Sequence, residues 1–159
     1  MGEINMNIEI KNVKYAAFAS EETHCFSAAV YIEGEKAGEV SNDGHGGSNH
    51  FRPYELQTFL NTYAKTLPAI DCSNIGAVEP HRFIEQDAET LIGEMVNDWL
   101  AARDLKRLLS KRVLFQEDGK IMQTRVLTKD RMAKCIGQFN KPLNDMPFAE
   151  ALKVYRERA

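Results

Sequence analysis

Between Ser41 and His50 the chain reads Ser-Asn-Asp-Gly-His-Gly-Gly-Ser-Asn-His, which places three glycines, two imidazoles, a carboxylate and two amides within ten residues. Glycine takes positive φ without steric cost, so a backbone of this composition can turn successive N–H groups toward one point, and a helix N-terminus nearby adds its dipole to such a concavity. A phosphate or carboxylate is the matching ligand. The candidate ligand-binding residues are Asn42, Asp43, Gly44, His45, Gly46, Gly47, Ser48 and His50. The segment lacks the Gly-Lys-Ser/Thr of a Walker A loop and the GxGxxG of a dinucleotide-binding βαβ unit, so neither motif names the ligand. The ordinary reading of Asn42-Asp43-Gly44 is a turn formed for local reasons.

Imidazole titrates near neutrality, so Asp43, His45 and His50 could also serve as acid and base groups of a small hydrolase or transferase acting on a phosphate-containing substrate. The same three side chains are of metal-ligand type, with His24 or His81 available from elsewhere. Two histidines five apart in a loop do not have the fixed face of a HExxH helix, so no metal is predicted, and no motif names a cofactor. His24 and Cys25 are neighbours at the start of a strand, where adjacent side chains point to opposite faces, so this histidine does not serve this thiol as base. Cys25, Cys72 and Cys135 read as small apolar side chains, and Trp99 as core. The acidic residues Glu21, Glu22, Glu33, Glu35 and Glu39 read as a solvated sheet edge, or in a sharper reading as a mimic of nucleic-acid charge.

The net charge of −3 conceals two opposite segments. Residues 1–102 carry 6 Lys and Arg against 16 Asp and Glu, a balance of −10; residues 103–134 carry ten bases against four acids, a balance of +6; the remainder adds +1. Such a chain can steer an oppositely charged partner or pair its own segments, within one molecule or between protomers. The basic-surface candidates are Arg103, Lys106, Arg107, Lys111, Arg112 and Arg125. They support nucleic-acid binding as a third reading, which the acidity of the first 102 residues and the lack of interleaved aromatics weigh against.

The elements that must hold these residues follow from periodicity. Ile4, Met6, Ile8 and Ile10 alternate with polar residues and predict a first strand. Phe26 to Ile32, a turn at Glu33-Gly34-Glu35-Lys36 and the run Ala37–Ser41 predict a hairpin. Pro53 followed by Leu56, Phe59, Leu60, Tyr63 and Leu67 predicts a helix ending at Pro68. Residues 68–83 predict a connection, with a short strand or turn around Ile75–Val78. The broad apolar stripe from Asp87 to Ser110 predicts a long helix. Asp118-Gly119 between Arg112–Gln116 and Ile121–Leu127 predicts a second hairpin. A short helix capped by Thr128 and ended by Gly137, and a last helix started by Asp145 and Pro147, complete an α+β chain. It is predicted to be one domain over residues 1–159, with subdomains 1–67 and 84–159 joined by 68–83.

The length of 159 residues suffices for a core without metal or disulfide staples. Three cysteines without a CxxC pair predict a reducing, cytoplasmic setting. No apolar run approaches the ~18 residues of a membrane span, and the first ten residues lack the features of a secretory signal, so no membrane partner is expected.

The run KNVKYAAFASEETHCFSAAVYIEGEKAGEVSNDGHGG (residues 11–47), together with LNDMPFAEALKVY (143–155), resembles uncharacterised small proteins encoded by bacteriophages and other mobile elements. The resemblance implies a genomic setting and an accessory role: modulation of host machinery, counter-defence included, by binding a host protein or a nucleotide. It carries no catalytic residues over to this chain.

Overall fold

Asn5, Asn7 and Glu9 are exposed while Met6, Ile8 and Ile10 are half-buried, as a strand with one covered face requires. In the computed structural model, which describes residues 5–158, that strand, β1, runs Ile8–Tyr15, starting later and ending later than its alternation suggests. Ile4, the first apolar residue of the predicted strand, lies outside the described residues. Strands β2 (Cys25–Ile32), β3 (Glu35–Asp43) and β4 (His50–Arg52) follow, and the four form an antiparallel meander in the order β1-β2-β3-β4. Helix α1 (Tyr54–Ala64) begins directly after Pro53, which is the N-cap residue with φ −69°, and ends four residues short of Pro68.

Of the short strand or turn expected around Ile75–Val78, the turn is what forms. Residues 73–75 make a 3-10 turn, flanked by the two-residue strands β5 (Ile70–Asp71) and β6 (Phe83–Ile84). Arg82 donates from Nε and Nη2 to the two carboxylate oxygens of Asp71 at 3.1 and 2.9 Å, and this clamp closes the segment where little apolar area is available to do so.

Helix α2 (Ala88–Leu109) matches its predicted span. Asp87 caps it reciprocally with Thr90: the Thr90 N–H donates to Asp87 Oδ1 and the Asp87 N–H donates to Thr90 Oγ1, both at 2.8 Å. The second hairpin pairs β7 (Leu114–Glu117) with β8 (Lys120–Gln123) around Asp118-Gly119, as its turn chemistry demands. Helix α3 (Lys129–Ile136) starts after an extended Thr128 whose side chain makes no capping bond, and it ends at Gly137 in a right-handed conformation. The last helix, α4, runs Phe148–Arg158; Asp145 precedes it in a separate 3-10 turn.

The chain divides into two compact units, Met1–Val96 and Asn97–Ala159, with the division inside α2. In the first unit the inward residues of the meander, Phe26, Ala28, Val30, Val40 and Phe51, are buried together with Leu56, Leu60, Tyr63 and Ala64 of α1 and Ala88, Ile92 and Val96 of α2. Gly38 is what lets α1 approach this closely, because a Cβ there would collide with the Arg52 carbonyl and the Leu56 side chain. In the second unit Leu105, Leu114, Leu143 and Ala151 form a core, with Phe148, Leu152 and Tyr155 of α4 packed on it.

Candidate functional site

Two β-bulges decide what the solvent face of the meander carries. Counting back from the buried Val40 by strict alternation, Gly38 and Lys36 would both face inward. An extra residue, Ala37, interrupts the β2–β3 ladder, so that Val30 pairs with Gly38 but Tyr31 pairs with Lys36, and Lys36 emerges on the outer face. The same occurs on β1. Lys11 pairs with Ala29 and Lys14 with Ser27, three residues on one strand against two on the other, around Asn12 at φ +53°. The bulge turns Lys14 to the same face as Lys11 and Ser27.

The registers align these side chains in rows across the sheet. One row runs Lys14, Ser27, Ser41, His50; the next runs Lys11, Ala29, Glu39, Arg52. Small side chains, Ser27, Ala29 and Ser41, floor a depression of about 490 Å³, and Asn12, Lys14, Lys36, Glu39, His50 and Arg52 stand around it. Lys36 Nζ lies 3.2 Å from Glu39 Oε1. Lys11 lies beside this depression, 4.5 Å over the Tyr31 ring. The first unit holds 6 Lys and Arg against 15 Asp and Glu, yet four of those six cations, Lys11, Lys14, Lys36 and Arg52, occupy this one face. A basic patch in an acidic unit, over a floor of small side chains, is suited to an anion.

The glycine-rich segment is built differently from its expectation. Ser41, Asn42 and Asp43 belong to β3 and His50 to β4, so the loop is confined to residues 44–49. Several of its polar groups are engaged within the chain. Asn42 is buried; its Oδ1 accepts from Thr23 Oγ1 (2.8 Å) and the Gly44 N–H (2.9 Å), while its Nδ2 donates to the Gly47 carbonyl (2.9 Å) and Asn49 Oδ1 (3.1 Å). The N–H of His45 donates to Asp43 Oδ1, that of Gly46 to Thr23 Oγ1, and that of Asn49 to the Glu89 carboxylate. A concavity of successive N–H groups does exist, but on the facing segment, and the chain fills it: Glu21, Glu22 and Thr23 all donate to the Gly44 carbonyl at 3.0–3.3 Å. Gly44 sits at φ +88°, and a Cβ there would strike the Ala19 carbonyl.

This geometry lends no support to the expectation that residues 42–48 cradle an anion. Asn42, Asp43, Gly44, His45, Gly46 and Gly47 form a folded knot beside Glu21, Glu22 and Glu89, where negative charge repels an anion, and Ser48 is exposed. His50 alone of those candidates lines the depression. Asp43, His45 and His50 are not assembled for acid and base chemistry: His45 Nδ1 lies 3.4 Å from Glu21 Oε2, whereas His50 stands opposite Ser41 on the sheet. Burial raises the pKa of Glu89, with Asp87 adding to the rise and the Asn49 N–H and His50 opposing it. Among the described residues no group of three His, Cys, Asp or Glu could hold a metal ion.

Four of the six basic-surface candidates of the second unit are engaged by neighbouring groups. The Arg103 guanidinium is 5.1 Å from the Trp99 ring centre and Lys106 Nζ is 5.2 Å from that of Phe148. Arg107 pairs with Asp104 at 3.6 Å, and Arg112 Nη1 donates to the Thr124 carbonyl at 3.0 Å. Lys111 and Arg125 are exposed. Phe115 of the second hairpin stacks on Phe139 at 4.3 Å. The three cysteines are free thiols, Cys72 buried and the other two half-buried. His24 packs edge-on against Tyr15.

Sequence reasoning missed Asn12, Lys14, Ser27, Ala29, Lys36, Glu39, Ser41 and Arg52 as a group. Ser27, Ala29, Ser41, Glu39 and Arg52 share this face by alternation and strand register, whereas Lys14 and Lys36 join it only through the bulges, which shift the phase of a period-two pattern. Comparison of the chain with protein-family models, with curated proteins and with solved structures finds no match. Among the described residues no helix is long and apolar enough to cross a membrane.

Proposed function

We propose that this protein binds a small phosphate-bearing molecule on the outer face of its four-stranded sheet and modulates its surroundings by that binding, in the accessory role implied by its resemblance to proteins of phages and mobile elements. The observation that carries the reading is the pair of bulges that turn Lys14 and Lys36 outward, beside Arg52 and His50, around a small-residue floor. Bulges that re-aim side chains cost ladder hydrogen bonds, and here both deliver a cation to one place. Lysine and arginine supply point-charge and forked donors to phosphate oxygens, and an imidazole N–H adds a further donor.

Titration calorimetry with pyrophosphate tests it. Lys36→Ala and Arg52→Ala should each weaken binding roughly tenfold or more, since a hydrogen bond to a charged group contributes about 1.5–3 kcal/mol. Asp43→Ala and His45→Ala should leave the affinity unchanged. Equal binding by wild type and both cation variants would remove the proposal.

A further inference from the structure

A second depression, of about 600 Å³, adjoins the first across the edge strand β4. The two share Ser41, His50 and Arg52, so they are contiguous around that strand. Their remaining walls differ in chemistry. Lys14 and Lys36 line only the first, whereas Asn49, Tyr54 and Gln57 line only the second. Tyr54 opens helix α1 and is 72% exposed, and Gln57 follows one helical turn later. The second compartment therefore offers an aromatic side chain and two carboxamides, of which the Asn49 oxygen accepts from Asn42 Nδ2 and keeps a second lone pair, and it carries no lysine.

From this juxtaposition we infer that the ligand is a nucleotide, held with its phosphates among Lys14, Lys36 and Arg52 and its base over β4, against Tyr54 and within reach of Asn49 and Gln57. This rests on the phosphate-binding reading above and adds the second half of the ligand. An aromatic ring recognises a base by stacking, which tolerates any base, and carboxamides pair with the donors and acceptors of a base edge. His50 and Ser41, common to both compartments, fall where the sugar would lie. Each depression has a volume within the ~300–1,000 Å³ of small-molecule sites.

The test compares pyrophosphate, ribose 5-phosphate and the four common nucleoside diphosphates by titration calorimetry on the full chain. At least one diphosphate should bind about tenfold more tightly than pyrophosphate, the scale of one base–aromatic stack. Tyr54→Ala should abolish that gain while leaving pyrophosphate affinity unchanged, and Tyr54→Phe should restore it. Tyr54 is exposed, so unchanged pyrophosphate binding also reports an intact fold. Nucleoside diphosphates no tighter than pyrophosphate, or a gain that survives Tyr54→Ala, would overturn the nucleotide assignment alone. Absence of pyrophosphate binding would overturn both it and the phosphate-binding reading.

Discussion

Asn42 shows how one side chain can replace a ligand. From a buried position it satisfies two donors, Thr23 Oγ1 and the Gly44 N–H, and two acceptors, the Gly47 carbonyl and Asn49 Oδ1, so the side chain of Asn42 is spent on holding the loop. Asn42→Ala would leave the Gly44 N–H and the Gly47 carbonyl without these partners, and urea denaturation should register a loss of about 1–3 kcal/mol or more. Asp71 makes the clamp on its segment pH-dependent. The Arg82 guanidinium, and after it Ser73, hold its carboxyl well below the usual carboxylate range. Because the folded value lies below the unfolded one, the clamp stabilises the folded segment above pH 3.8 and its contribution is lost as pH falls through the folded value. The carboxyl carbon of Asp71 should therefore still show its ionised chemical shift at pH 3.8, and Arg82→Ala should bring the midpoint back toward that pH.

At the scale of elements, strand and helix periods were readable because each element has one covered face, and burial enforces the period on the residue types. The first hairpin, α1, α2 and the Asp-Gly hairpin follow from that rule. The bulges at Asn12 and Ala37 do not, since an extra unpaired residue shifts the phase of all that follows without changing composition. Strand β4 escaped for a related reason: three residues, His50–Arg52, with one buried side chain between two exposed ones, are too few to reveal a period. It exists because β3 offers an edge and because Gly38 lets the Arg52 carbonyl approach. Gly38→Ala should therefore displace β4 and the start of α1, lowering stability by about 1–3 kcal/mol as overpacking does. The same variant should weaken pyrophosphate binding, because Arg52 and His50 move with the strand. A variant as stable as wild type in denaturation would contradict this close approach.

For the molecule as a whole, the division of charge follows the division into units: the first carries −9 and the second, with 14 bases against 8 acids, carries +6. The proposed site lies wholly within the acidic unit. Reversing charge at Lys111 and Arg125 to Glu should accordingly leave ligand affinity at the sheet within about twofold in calorimetry, whereas raising the salt concentration should weaken it through screening of exposed charges. Composition and period by themselves determined the α+β class, the long helix and both hairpins, since these depend on local turn chemistry and on which side chains avoid water. Only the tertiary structure decided which cations meet, because that depends on ladder register and on two inserted residues whose effect appears when strands distant in the chain are laid side by side. It likewise decided that the glycine-rich loop binds itself, since Thr23 and the amides of residues 21 and 22 reach it through the sheet and through nothing local in its own ten residues.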